Sequence, residues 1–180
     1  MIVATTMLAG CGGHGGGSFA SSSSSTSIGT ESVLWSFGGA GDGQNPYARL
    51  IMDSSGNLYG TTLNGGADTA GAVFKIGSSG TESVLWSFGG AGNGRNPYAR
   101  LIMDSFGNVY GTTVNGGVNS AGTVFKISSS GTESVLWSFG GAGDGRDPYA
   151  GLVMDSSGNL YGTTANGGAN SAGTVFRVKN

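Results

Sequence analysis

Apolar and polar positions alternate first in Glu31–Phe37 (ESVLWSF), which puts Val33, Trp35 and Phe37 on one face and Ser32, Leu34 and Ser36 on the other. A period of two with β-branched and aromatic residues predicts a strand. Gly38–Ala48 (GGAGDGQNPYA) breaks the alternation, and its glycines and Pro46 predict a long loop. Arg49–Asp53 (RLIMD) and Asn57–Thr62 (NLYGTT) read as two further strands joined by a turn at Ser54–Gly56. Gly56 suits the left-handed position of a short hairpin, and the Asp53 carboxylate can accept hydrogen bonds from the turn's own N–H groups. A second loop, Leu63–Gly71 (LNGGADTAG), leads to a fourth strand at Ala72–Ile76 (AVFKI) and a tight turn at Gly77–Gly80.

The pattern then restarts. Trp35, Trp86 and Trp137 mark a period of 51 residues, which divides the chain into copies 29–79, 80–130 and 131–180. The first two copies differ at about ten positions, as recent duplication would leave them, so shared residues are not by themselves signs of function. Helical periodicity is absent. Most strands carry apolar residues on both faces, Leu50 and Met52 against Ile51, Val73 against Phe74 and Ile76. A sheet buried on both faces lies between neighbours. An all-β fold of three four-stranded antiparallel repeats, stacked as β-propeller-like blades, is the expectation. A β-solenoid is the rival, but its rungs are usually shorter and need no hairpins. In a meander, connections alternate between the two ends. Both long loops of a copy are therefore expected at one end, and both tight turns at the other. A binding surface is sought on the long-loop face.

The run FGGAGDGQNPYARLIMDSSGNLYGTT, followed by NGG and an FKI strand, resembles the GloVer tandem-repeat family of bacterial exported proteins. The resemblance covers 29–180, with YGTT at Tyr59–Thr62, Tyr110–Thr113 and Tyr161–Thr164. It implies export and surface attachment, and names no activity.

The copies start at the WSF strand, and the last copy finishes on Thr174–Val178 (TVFRV), a strand that elsewhere precedes WSF. The WSF strand is thus expected to belong to the sheet before it. Three outcomes are open. The chain closes as a tight three-bladed ring, stays open with free edges, or joins a second chain head to tail in a six-bladed homodimer.

Composition narrows the partners. A net charge of −2 with 10% charged residues lacks the basic face that nucleic acid requires. No apolar run reaches the roughly 20 residues of a membrane helix. Cys11 is the single cysteine, and Leu8-Ala9-Gly10-Cys11 resembles a bacterial lipobox. Residues 1–10 then read as a truncated or atypical lipoprotein signal, since they hold no Lys or Arg, and 11–28 as a Gly/Ser tether. Cys11 would carry the lipid and be the only link to a membrane. The expected location is the cell envelope, the outer membrane or the exterior. A chance match in a small-residue leader is the alternative.

Catalytic chemistry finds little purchase. His14 is the sole histidine and lies in the tether, so the repeats hold no His for a triad or an imidazole–metal site. Glu31, Glu82 and Glu133 read as solvated turn-edge residues, and Asp53, Asp104 and Asp155 as turn caps. GGAGDG follows a strand, but no helix or GK[ST] follows it, so it is not a phosphate loop. Asp42, Asp144 and Asp147 could line a Ca²⁺ site, but the second copy has Asn93 and Asn96 there. No metal or cofactor is expected. Phe106, where the other copies have Ser55 and Ser157, is no catalyst. The expected function is non-catalytic, with carbohydrate or protein bound on the long-loop face. Its candidate residues are Asp42, Asn45, Tyr47 and Asn64, then Asn93, Asn96, Tyr98 and Asn115, then Asp144, Asp147, Tyr149 and Asn166. The tyrosines could instead plug the space between blades, and the three tryptophans are expected in the core. A structural spacer and a propeller-type hydrolase are the other readings.

Overall fold

Three larger antiparallel sheets and three two-stranded ribbons carry the chain in a computed structural model that describes residues 29–180, and no helix occurs among them. The leader, with Cys11, His14 and the divisions at 1–10 and 11–28, lies outside the described residues. Val33–Asn180 forms one unit. Its first sheet pairs Ile51–Met52, Leu58–Thr62, Ala72–Ile76 and Glu82–Ser87 in chain order. The second sheet repeats this with Ile102–Met103, Val109–Thr113, Thr123–Ile127 and Glu133–Ser138. The third has only Val153–Met154, Leu160–Thr164 and Thr174–Val178.

The WSF strand does belong to the preceding sheet: Val73 pairs with Trp86, and Val124 with Trp137. Two expectations are corrected as a result. Glu31–Phe37 is not a strand: among the described residues it pairs with no sheet edge. The third sheet has three strands, and the place that a WSF segment takes in the other two sheets is not filled among the described residues. Phe37 nevertheless keeps its repeat position. Its ring meets Phe74 edge-on at 4.8 Å, as Phe88 meets Phe125 and Phe139 meets Phe176, both at 4.9 Å.

Those rings explain the glycine inside each YGTT strand. Gly60 pairs with Phe74, and a Cβ on Gly60 would lie 2.6 Å from that ring. The same holds for Gly111 under Phe125 and Gly162 under Phe176. Glycine in a strand marks such a close approach.

The sheets stack face to face, and both faces of the middle one are buried. Val73 and Tyr59 of the first sheet pack with Leu101, Val109, Phe125 and Ile127 of the second. The second sheet turns Tyr110 and Val124 the other way, onto Leu152, Leu160 and Val178 of the third. Hydrogen bonds sew the sheets at matching points. The Thr61 hydroxyl donates to the Ala99 carbonyl at 3.4 Å, and Thr112 to Ala150 at 3.3 Å. The Asn96 N–H donates to the Ala70 carbonyl at 2.7 Å, and Asp147 to Ala121 at 3.1 Å.

Candidate functional site

At the tight-turn end, each Asp caps its hairpin as expected. The N–H groups of Ser55 and Asn57 donate to Asp53 Oδ1 at 2.9 and 3.0 Å. Gly56 takes the left-handed conformation, with φ 79°. Two donors escape a reading of the turn alone: Asn57 Nδ2 and the Tyr59 hydroxyl reach Asp53 Oδ2 at 2.7 and 2.9 Å. The network recurs at Asp104 with Tyr110 and at Asp155 with Tyr161. The Asn57 side chain and these other donors hold the Asp53 carboxyl down at about 2, while burial first, and then Asp53, push the Tyr59 hydroxyl up to about 12. Hydrogen bonds likewise leave Asp104 and Asp155 below the usual carboxylate range, against an opposing desolvation.

Glu82 and Glu133 stand at the same end and correct the solvated reading. Each is half-buried, each has a buried Oε1 without a hydrogen-bond partner, and burial pushes both carboxyls up.

At the long-loop end, the two loops of each copy meet as expected. Gly43–Gln44 pairs with Asn64–Gly65, Gly94–Arg95 with Asn115–Gly116, and Gly145–Arg146 with Asn166–Gly167. Most of the candidate polar residues build this ribbon. Asn64 donates to Asn45 at 3.1 Å, Asn115 to Asn96 at 3.2 Å, and Asn166 to Asp147 at 2.8 Å. Asn45, Asn96 and Asp147 adopt φ near 60°, 58° and 58°, where Asn and Asp are the best tolerated side chains after glycine.

Asp42 and Asp144 are also occupied. Asp42 accepts from the Gly43 N–H at 2.6 Å and from the Trp35 indole at 3.2 Å. Asp144 accepts from Gly145 at 2.7 Å and from the Trp137 indole at 2.9 Å. Trp35 and Trp137 are therefore exposed side chains tied to a loop, which corrects their expected place in the core. In the second copy Asn93 caps Gly94 through Oδ1, and the buried Trp86 indole N–H is left without a partner.

The tyrosines behave differently. Tyr47, Tyr98 and Tyr149 sit 51 residues apart, and the stacking of the copies draws them into one row. Tyr47 and Tyr98 stack with centroids 5.8 Å apart at 28°, while Tyr98 meets Tyr149 edge-on at 6.0 Å and 87°. All three are exposed. The row is contiguous and open to solvent rather than packed between sheets. Its sequence signal was the recurrence of a tyrosine after Pro at the same place in each copy. Among the described residues, no group of three or more His, Cys, Asp or Glu is arranged to hold a metal ion.

Stacked antiparallel sheets, the first two completed by the first strand of the next copy, define a β-propeller-like repeat protein. The chain belongs to the Gloeobacter/Verrucomicrobia repeat family, whose model matches residues 2–180. Among solved structures it is similar to virginiamycin B lyase from Staphylococcus aureus, with 15% identity and a TM-score of 0.47. That match covers 76% of this chain and 42% of the lyase chain. No curated protein matches the chain.

Proposed function

We propose that the chain is an exported, surface-anchored binding module, without catalytic activity, that takes carbohydrate on the Tyr47–Tyr98–Tyr149 row. The observation that carries this reading is the row itself. Three exposed aromatic rings at about 6 Å intervals, in contact with one another, offer a continuous aromatic surface to an extended ligand. Sugar rings present apolar C–H faces that stack on such rings, and binding sites concentrate aromatic area with few polar groups. Arg49 and Arg100 flank the row in sequence and would supply donors to ring hydroxyls. The remaining polar candidates are spent on loop bonds and hold the shape of the face. The lipobox-like Leu8–Cys11 supports attachment to the envelope through a lipid on Cys11.

A glycan array probed with the full chain tests the binding reading. Binding to extended glycans is expected, and Tyr98→Ala should weaken it about tenfold without lowering the melting temperature, as an exposed hot-spot aromatic would. Folded protein that binds no glycan at high micromolar concentration leaves the surface-spacer reading standing instead. Mass spectrometry of the membrane fraction tests attachment: an unlipidated Cys11 would remove the anchor.

A further inference from the structure

Four Asn–Gly pairs lie in the long loops, at Asn64, Asn93, Asn115 and Asn166, and as dipeptides they are the same. The fold separates them. Asn64, Asn115 and Asn166 each turn the side-chain amide onto the facing loop, where it donates to Asn45, Asn96 and Asp147. The glycine after each is wedged against main chain, since a Cβ on Gly65, Gly116 or Gly167 would strike the carbonyl oxygen of Asp42, Asn93 or Asp144. Asn93 instead faces its own main chain. The Gly94 N–H donates to Asn93 Oδ1 at 2.7 Å. The ribbon's bond at this point runs from the Gly117 N–H to the Asn93 carbonyl at 2.8 Å, which leaves the Gly94 N–H to the side chain. Asn93 also lines an open groove with Gly92, Arg95 and Gly117, so water reaches it.

We infer that Asn93 is a site of spontaneous deamidation, through which the second copy gains the loop carboxylate that its neighbours carry as Asp42 and Asp144. The step needs water alone. The Gly94 nitrogen gives its proton to solvent hydroxide and attacks Asn93 Cγ. The new N–Cγ bond forms, the bond from Cγ to the side-chain amide nitrogen breaks, and that nitrogen takes a proton from water and leaves as ammonia. A cyclic imide remains, and water opens it. Opening at the new N–Cγ bond restores the main chain and leaves an aspartate, while opening at the main-chain carbonyl carbon leaves an isoaspartyl link. Both products carry the same added carboxylate, and nothing is oxidised or reduced. The held approach of the Gly94 nitrogen to the carboxamide supplies the rate, and its hydrogen bond polarises the carbonyl under attack. Glycine puts no side chain in the way of the closing ring. The charged product is met by Arg95 in the same groove, and in its aspartate form by the unpartnered Trp86 indole N–H. The equivalent indoles of Trp35 and Trp137 donate to Asp42 and Asp144 at 3.2 and 2.9 Å.

Cleavage after Lys and Arg puts the four pairs in four separate peptides, and Asn93 is the single Asn of Ile76–Arg95. The folded full chain is held at mildly alkaline pH, digested at intervals and followed by mass spectrometry. Ile76–Arg95 should gain the amide-to-acid mass difference about tenfold faster than the peptides that hold Asn64, Asn115 and Asn166. In urea the four should react at similar rates, because the fold makes the selection. Asn93→Gln keeps the amide and enlarges the ring to be closed, so its peptide should stay unchanged and the aged protein should lack the new acidic species on anion exchange. Gly94 is not the position to alter, since a Cβ there would strike Thr113. Equal rates at the four sites in the folded chain overturn the inference. So does an Ile76–Arg95 peptide that stays intact in the folded chain while the urea sample reacts.

Discussion

The two ends of the sheets hold similar numbers of polar side chains and use them differently. At the tight-turn end, Asp53, Asp104 and Asp155 each gather the same four donors, and the three copies are alike. At the long-loop end, the copies diverge at Asp42, Asn93 and Asp144, and at Asn45, Asn96 and Asp147. Divergence there does not produce a free polar site, since the side chains still bond within their own loops. The tight turns are held by one repeated carboxylate network, the long loops by a mixture of amides, carboxylates and positive φ, and the tyrosines are left exposed in a row.

The comparison breaks most severely at Asp104. Asp104→Ala removes the acceptor of the Tyr110 hydroxyl, on a side chain that is almost wholly buried between the second and third sheets. Loss of charge-assisted bonds to a buried group costs about 2 kcal/mol, which for a chain of this size lowers the melting temperature by roughly 4–8 °C. Tyr98→Ala at the other end should leave it unchanged. A thermal melt of both variants checks the contrast, and equal melting temperatures would erase it. The acid side follows the same network. In the equivalent network of the first copy the folded Asp53 carboxyl titrates below its unfolded value, so its stabilisation is complete above the ordinary Asp value of 3.8 and fades as pH falls toward about 2.

The strands, the hairpin caps and the sharing of the WSF strand were legible because they depend on neighbours within a few residues. Alternation, Gly56 and the Asp53 turn are local facts, and the 51-residue period multiplies them. The tryptophans misled because the same strand position is covered in one copy and open in another: Trp86 packs against the core between the first two sheets, while Trp35 and Trp137 are exposed. Glu82 and Glu133 misled because a position beside a turn reads as exposed, while the folded chain half-buries both and leaves one oxygen of each without a partner. The tyrosine row was visible only as a repeated position. Stacking of the copies converts a 51-residue spacing into a 6 Å one, which no local window reveals.

A smaller change would make the second copy's long loop resemble its neighbours. Asn93 Oδ1 is already used by the Gly94 N–H, so its remaining amide group is a donor and cannot accept from the Trp86 indole. Asp42 and Asp144 offer a second oxygen at that point and take the indole proton. Asn93→Asp should therefore stabilise the protein by about 1 kcal/mol, the net value of one such bond. Denaturant melts at pH 7 would show the gain, and it should vanish below pH 3, where the new carboxyl is protonated. An unchanged midpoint at pH 7 would mean that the indole and the loop do not meet in the second copy.

The smallest effect lies within the tight-turn end and separates its two kinds of carboxylate. Asp155 is surrounded by donors, whereas Glu133 has a buried Oε1 without one. Burial raises the Glu133 pKa, so the folded chain holds that proton more tightly than the unfolded chain. Its favourable contribution is present below the ordinary Glu value of 4.5 and is lost as pH rises through the raised value. At neutral pH the charge is a net cost, although partial exposure limits it. Glu133→Gln removes the charge and should stabilise by about 0.5 kcal/mol at pH 7, after allowance for solvent screening. The gain should shrink below pH 4.5, where the wild-type carboxyl is itself neutral. Asp155→Asn should do the reverse, losing stability at pH 7 because the carboxylate it replaces is stabilised by its donors. Paired melts at the two pH values decide the matter: a Glu133→Gln gain of equal size at both would assign the effect to packing rather than to charge.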